Sequence, residues 1–182
     1  MGIIQSTNNN KKYPGKTHNE ARNSSAFAAI KRDGSVITWG DSDYGGDSSS
    51  VGAQLTSGVS QIFSNESAFA ALKTDGSVIT WGSPDLGGDS SSVSSKLSSG
   101  VSQIFSSSSA FAALKTDGSV VTWGGYGGNS SSVSSQLSSG VSKIFSTVDA
   151  FAALKNDGSV VTWGGFLLPF YTPPVAAQLT SG

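Results

Sequence analysis

Short apolar runs alternate with polar turns along most of the chain, and the pattern recurs about every 42 residues. In one copy, Phe69-Ala-Ala-Leu72 and Val78-Ile-Thr-Trp81 flank a Thr-Asp-Gly turn. β-forming residues on both sides of an Asp-Gly pair predict a β-hairpin, in which Asp75 caps the turn and Gly76 adopts a positive φ. The same turn occurs in four copies, at Asp33, Asp75, Asp117 and Asp157.

A further apolar strand precedes each hairpin from the second copy onward. It reads Val-Ser-Gln-Ile-Phe-Ser from Val59 and again from Val101, and its alternation predicts Val and Phe on one face and Ile on the other. The strands carry apolar or small residues on both faces, which is typical of sheets packed between neighbouring sheets. The Ser-rich links between copies predict either one short helical turn or an outer strand.

Four tryptophans mark the copies at spacings of 42, 42 and 40 residues. A period of this length is typical of a propeller blade or a solenoid coil. We therefore predict an all-β, β-propeller-like array with three to four short strands per blade. The predicted domains are an N-terminal strand plus basic insert at 1–24 and a four-repeat domain at 25–182, divided into 25–66, 67–108, 109–148 and 149–182. The predicted repeat core consists of one Phe and one Trp per copy: Phe27, Trp39, Phe69, Trp81, Phe111, Trp123, Phe151 and Trp163.

The order V-S-Q-I-F-S, then A-F-A-A-L-K-T-D-G-S-V-I-T-W-G, then a Gly-Gly loop resembles the repeat of the regulator of chromosome condensation family. The likeness covers residues 25–182 and implies a β-propeller with an interaction role. Members of that family are seven-bladed and have longer repeats, so four copies of about 42 residues depart from its pattern. The resemblance does not imply nucleotide exchange on a small GTPase, because no exchange residue of the family can be matched here.

The two ends of the chain complement each other. The last copy stops at Gly182, where the other copies continue into the V-S-x-I-F-S strand, and Gly2-Ile-Ile-Gln-Ser-Thr7 aligns with that missing strand. This predicts an N-terminal strand, centred on Ile3 and Ile4, that closes the last blade. A closed four-bladed monomer, a two-chain eight-bladed ring and a head-to-tail filament all satisfy the pattern. A disordered leader at 1–24 is the alternative.

Charged residues are sparse, at 13% with a formal net charge of −1, so the whole chain has no field suited to binding a polyanion. The N-terminal insert is nevertheless basic and is a candidate interaction segment, through Lys11, Lys12, Lys16 and Arg22. Its cations are not interleaved with aromatic residues, which argues against a nucleic-acid partner. The absence of cysteine excludes disulfides and thiolate metal sites.

The fourth copy replaces the Gly-Gly-Asp/Asn-Ser loop with an apolar sequence. Large apolar side chains in a loop are costly when exposed, so we expect them to cover the junction between the first and last blades or to contact another chain. The residues concerned are Phe166, Leu167, Leu168, Phe170 and Tyr171.

Carboxylates at alternate positions, Asp41, Asp43 and Asp47, resemble a calcium-binding loop. No bidentate Glu follows at the required distance, so Asx turns are the favoured interpretation and no metal site is predicted. The single histidine, His18, cannot form a histidine metal cluster within one chain. No nucleophile with a base, carboxylate pair or phosphate-binding loop is recognisable, so we predict no catalytic residue, no cofactor and no small-molecule substrate.

The start of the chain matches the N-myristoylation pattern M-G-x-x-x-[ST], and only a lipid on Gly2 would lead us to expect membrane binding. The sequence contains no signal-peptide pattern and no apolar stretch of about 20 residues, which predicts an intracellular, cytoplasmic protein. We predict a non-enzymatic protein-binding or scaffold module, with another protein or a copy of itself as partner. The alternatives are a structural protomer of a ring, fibre or shell assembled by strand exchange, and a glycan-binding propeller.

Overall fold

The structure is a computed structural model that describes residues 23–165. The described chain forms eleven strands in four antiparallel sheets, one sheet for each hairpin. The strands are β1 (Ala26–Ile30), β2 (Val36–Gly40), β3 (Val59–Ser64), β4 (Ala68–Lys73), β5 (Val78–Gly82), β6 (Val101–Ser106), β7 (Ala110–Lys115), β8 (Val120–Gly124), β9 (Val141–Ser146), β10 (Ala150–Lys155) and β11 (Val160–Gly164). The all-β, propeller-like architecture predicted from the repeat is confirmed.

Each sheet is built around its Asp-Gly hairpin. In the second sheet, β4 pairs with β5, and the Gly76 amide donates to the Lys73 carbonyl at 3.0 Å to close the turn. Gly76 has a φ of 79°, and Oδ1 of Asp75 accepts hydrogen bonds from the amide and the hydroxyl of Ser77 at 2.9 and 2.6 Å. The predicted roles of Asp75 and Gly76 are therefore confirmed.

The strand before each hairpin belongs to the sheet of the hairpin that follows it. The sheet orders are β3-β4-β5, β6-β7-β8 and β11-β10-β9, whereas the first sheet contains only β1 and β2 within the described range. The sheet of the last hairpin thus has three described strands, and β1 differs from its counterparts β4, β7 and β10 in having one described neighbour instead of two. The closing strand predicted at Ile3 and Ile4 lies outside the described residues and stays a prediction.

The faces of this preceding strand differ from the sequence prediction. Val101 and Ile104 pack together against the second blade, while Phe105 packs toward the fourth. The strand pairing shifts register between Val101 and Gln103, as in a β-bulge. Because a bulge adds one residue to the strand, it reverses the alternation, so the predicted pairing of Val with Phe on one face is wrong.

The links between blades contain short helical turns. The longest described ones are 3-10 turns of up to six residues, with one four-residue α-helix, α1 (Ser94–Leu97). Leu97 is buried in a hydrophobic cluster formed by residues of the second and third blades, and Val93 packs against this cluster. Of the two predicted forms of the link, the helical turn is the one present. No helical segment between residues 23 and 165 has the length and hydropathy needed to cross a bilayer.

The core lies between consecutive sheets. Small side chains on one sheet, such as Ala70 and Ala112, are completely buried against the aromatic residues of the next sheet. The lack of bulk at these positions lets the sheets approach closely, which explains the recurrent Ala-Ala pairs of the sequence.

Candidate interaction surface

Consecutive blades are joined by a tryptophan of one blade and a glycine loop of the preceding blade. The indole Nε1 of Trp81 donates to the carbonyl of Gly45 at 3.0 Å. Trp123 and Trp163 make the same bond to Gly87 and Gly127, each at 3.1 Å. We call this arrangement the blade joint.

A phenylalanine completes each joint by stacking on the tryptophan of its own hairpin. Phe111 and Trp123 have ring centroids 5.3 Å apart, and Phe111 also lies against the backbone of Gly87. A Cβ on Gly87 would come within 2.8 Å of the Phe111 ring, and Gly87 has a φ of 100°. Both the contact and the backbone conformation therefore require glycine in this loop.

Polar contacts on either side of the aromatic pair reinforce the joint. The amide of Val101 donates to the carbonyl of Gly76 in the preceding hairpin turn at 3.0 Å. The Nζ atom of Lys115 donates to the carbonyl of Lys96 at 3.1 Å, at the end of the preceding link. Equivalent bonds occur at the other two joints: Val59 to Gly34, Val141 to Gly118, Lys73 to Gln54 and Lys155 to Gln136.

The first blade carries the aromatic half of a joint without a preceding described blade. Phe27, Ile37 and Trp39 are 42%, 44% and 45% exposed, whereas Phe69 and Trp81, at equivalent positions, are almost completely buried. The Phe27 and Trp39 rings remain stacked at 5.4 Å. We call Phe27, Ile37 and Trp39 the leading face.

The eight predicted core aromatics accordingly fall into two groups. Six of them are buried: Phe69, Trp81, Phe111, Trp123, Phe151 and Trp163. Phe27 and Trp39 are partly exposed, since no blade among the described residues covers them, and their place in the core stays a prediction.

The fourth blade carries the opposite half of a joint. Ala150, Ala152 and Leu154 are only half-buried, although their counterparts in the second and third blades are fully or nearly fully buried. Space beside the last hairpin turn is also free, since a Cβ on Gly158 would meet no atom within 4 Å. We call the surface formed by Ala150, Ala152, Leu154 and Gly158 the trailing face.

The loop carboxylates are used by the backbone. Oδ1 of Asp41 accepts from the Asp43 amide at 3.0 Å, and Oδ1 of Asp47 accepts from the Ser49 amide at 2.8 Å. The latter bond lowers the pKa of Asp47 below its ordinary value. These are the Asx turns favoured by the sequence, and the described residues contain no group of three potential metal ligands.

A shallow groove of about 430 Å³ lies between the loops of the second and third blades, lined by Asp89 and Thr122 among others. Two of its polar groups are used within the fold. Asp89 accepts from the Ser91 amide at 2.8 Å, and the Thr122 hydroxyl donates to the Gly128 carbonyl at 2.7 Å.

Several predicted site residues lie outside the described range. They are Gly2, Ile3, Ile4, Lys11, Lys12, Lys16, His18 and Arg22 at the N-terminal end, and Phe166, Leu167, Leu168, Phe170 and Tyr171 at the C-terminal end. The leading and trailing faces were not predicted as sites. The signal available in the sequence was the position of the first and last copies, whose outward faces have no neighbour in the repeat order.

No protein-family model and no curated protein matches the sequence. Among solved structures, human WBSCR16 aligns with 79% of this chain and 46% of its own, at 21% identity and a TM-score of 0.50. Prp20p from Saccharomyces cerevisiae, studied for its binding to Gsp1p and histones, aligns with 79% of this chain and 44% of its own, at 14% identity and a TM-score of 0.51. The chain spans less than half the length of both. The sheets, their order and these two matches together show that the chain has the fold of an RCC1-like β-propeller repeat protein, as its repeat implies.

Proposed function

We propose that the chain is a non-enzymatic protein-binding module that uses the leading face of its first blade. The observation that supports this function is the exposure of three large apolar side chains, Phe27, Ile37 and Trp39, on one hairpin. Clustered exposed apolar residues on a soluble protein mark sites of protein contact, and tryptophan is the residue most enriched among energetically dominant contacts.

The chemistry of the described residues supports a binding role over a catalytic one. The turn aspartates Asp33, Asp75, Asp117 and Asp157 each accept hydrogen bonds from a serine two residues later, so hairpin formation accounts for them. Propellers of similar fold have protein partners: one yeast structure contains Kap60 bound to RCC1 (Prp20). For this chain, a protein partner is part of the proposal.

A glycan-binding role receives less support. It would need aromatic platforms repeated in the loops, but Trp81, Trp123 and Trp163 are buried and their indole nitrogens are hydrogen-bonded within the fold. A glycan array probed with the full chain tests this alternative, and clear binding to a sugar would favour it over protein binding.

The proposal is tested by comparing the proteins retained by the immobilised full chain and by its variants in an extract of the source organism. Trp39→Glu places a charge on the leading face and should abolish retention of specific partners. Tyr126→Glu changes an aromatic residue that is 63% exposed in a loop of the third blade and should retain them. Equal retention by both variants would argue against the leading face as the binding surface.

A further inference from the structure

We propose that the leading face binds the trailing face of a second copy of this chain, in a head-to-tail pair. This inference rests on the proposed function, because it names the partner of the same face. The described residues contain three complete examples of the contact, and one uncovered half lies at each end of the described array.

The three blade joints specify what a leading face binds. Phe69, Ala71 and Trp81 of the second blade pack on Ala26 and Ala28 of the first. The same combination recurs between the later blades, always with the Phe-Trp pair on one side and alanines on the other. A leading face is thus complementary in shape to a trailing face of this sequence.

The first blade has two donors that lack the acceptor found at every internal joint. The indole of Trp39 makes no hydrogen bond to another described residue, whereas Trp81, Trp123 and Trp163 each donate to a glycine carbonyl. The Nζ of Lys31 likewise has no carbonyl partner in the described range, while lysines at the equivalent position do.

The last hairpin turn lacks a hydrogen bond that the three earlier turns make across their joints. The carbonyls of Gly34, Gly76 and Gly118 accept a hydrogen bond from a valine of the next blade, and that of Gly158 accepts none from the described residues. The half-buried alanines beside Gly158 complete the surface that a Phe-Trp pair covers elsewhere. Because the Phe-Trp pair lies on one face and the alanines lie on the other, the contact is directional.

A second copy is favoured over the chain's own last blade as the occupant. Within one molecule, the leading face is exposed and the trailing face is uncovered. The described residues of the first and fourth blades therefore do not cover each other. The internal joints repeat the same contacts, so a further joint of this kind would extend the array of blades.

Sedimentation velocity on the full chain, from about 1 μM to about 200 μM, is the test. Wild type should associate with rising concentration. Trp39→Glu should block the leading face and Ala152→Glu the trailing face, so each variant alone should remain monomeric. A mixture of the two should form a dimer and nothing larger, because it contains one intact face of each kind. Far-UV circular dichroism identical to wild type confirms that each variant is folded.

Acrylamide quenching of the exposed tryptophan separates the ways of failing. A monomeric wild type with an accessible Trp39 would overturn self-association and leave the proposed binding role in place. A monomeric wild type with a shielded Trp39 would mean that the chain covers its own leading face, and would overturn both proposals. Association that survives in both variants, or a mixture that grows beyond a dimer, would also overturn the head-to-tail contact.

Discussion

Replacing Trp123 with phenylalanine should weaken the joint between the second and third blades far more than the same change at Trp39. Trp123 is 3% exposed and donates to the buried carbonyl of Gly87, whereas Trp39 is 45% exposed and donates to no described residue. The two positions have similar local sequences, and each tryptophan stacks on a phenylalanine, with ring centroids 5.3 Å apart at Trp123 and 5.4 Å apart at Trp39. Trp39→Phe is therefore a matched control for the hydrogen bond and for burial.

The expected magnitude follows from the two groups that the substitution removes. A buried carbonyl left without its donor costs about 1–3 kcal/mol. The smaller ring leaves a cavity beside Phe111 that adds about 1 kcal/mol. Trp123→Phe should thus destabilise by about 2–4 kcal/mol, and Trp39→Phe by about 0.5 kcal/mol or less, since solvent already reaches its indole.

Thermal unfolding followed by far-UV circular dichroism measures the difference. For a domain of this size, 1 kcal/mol corresponds to about 2–4 °C in Tm, so Trp123→Phe should lower Tm by about 4–16 °C and Trp39→Phe by about 2 °C at most. Measurements at the lowest practical concentration keep association from stabilising either protein. Equal losses of Tm in the two variants would refute the view that the indole–glycine bond holds the blades together.

Two further predictions concern the hairpin turns. Gly118→Ala should lower Tm more than Gly158→Ala. Both glycines have a positive φ, but only the Cβ added at Gly118 would come within 2.9 Å of a backbone nitrogen, that of Gly140. Equal losses of Tm in the two variants would contradict this close contact. Hydrogen bonds from serine, with the hydroxyl bond the largest cause, hold the pKa of Asp117 and its three counterparts below the ordinary value of 3.8. Because these folded-state pKa values are depressed, their stabilisation is present above the unfolded value and is lost as pH falls through the folded pKa. Lowering the pH should therefore reduce the Tm of Asp117→Asn by less than it reduces the Tm of wild type. The same pH dependence of Tm in both proteins would argue that the Asp117 carboxylate does not stabilise the turn.

Features fixed by a few adjacent residues could be predicted from the sequence. The Asp-Gly turn determines its own geometry, so the hairpins and the positive φ of Gly76 followed directly from it. The faces of the preceding strand did not, because the bulge after Val101 is set by pairing with β7 and leaves no clear mark in the alternation. The face of the sheet on which each residue of a strand lies can be predicted only where the strand pairing is regular.

The candidate site shows a different limit. Phe27 and Phe69 lie in nearly identical local sequences, yet one is 42% exposed and the other is completely buried. Their difference depends on what precedes each blade in the array, so no local pattern could separate them. The repeat predicts that neighbouring sheets pack on one another, but only the arrangement of the described blades determines which faces are uncovered.

The blade joint has a consequence for how the chain folds. At all three joints, the indole lies 36 residues after its glycine acceptor. The loop between Trp123 and Gly127 is two residues shorter than the loop between Trp81 and Gly87, but it precedes the glycine and so does not change this separation. Every joint therefore closes over the same short stretch of chain, and none needs a contact between distant ends. Folding can begin at any joint and spread blade by blade in either direction, with a barrier that stays the same as blades are added.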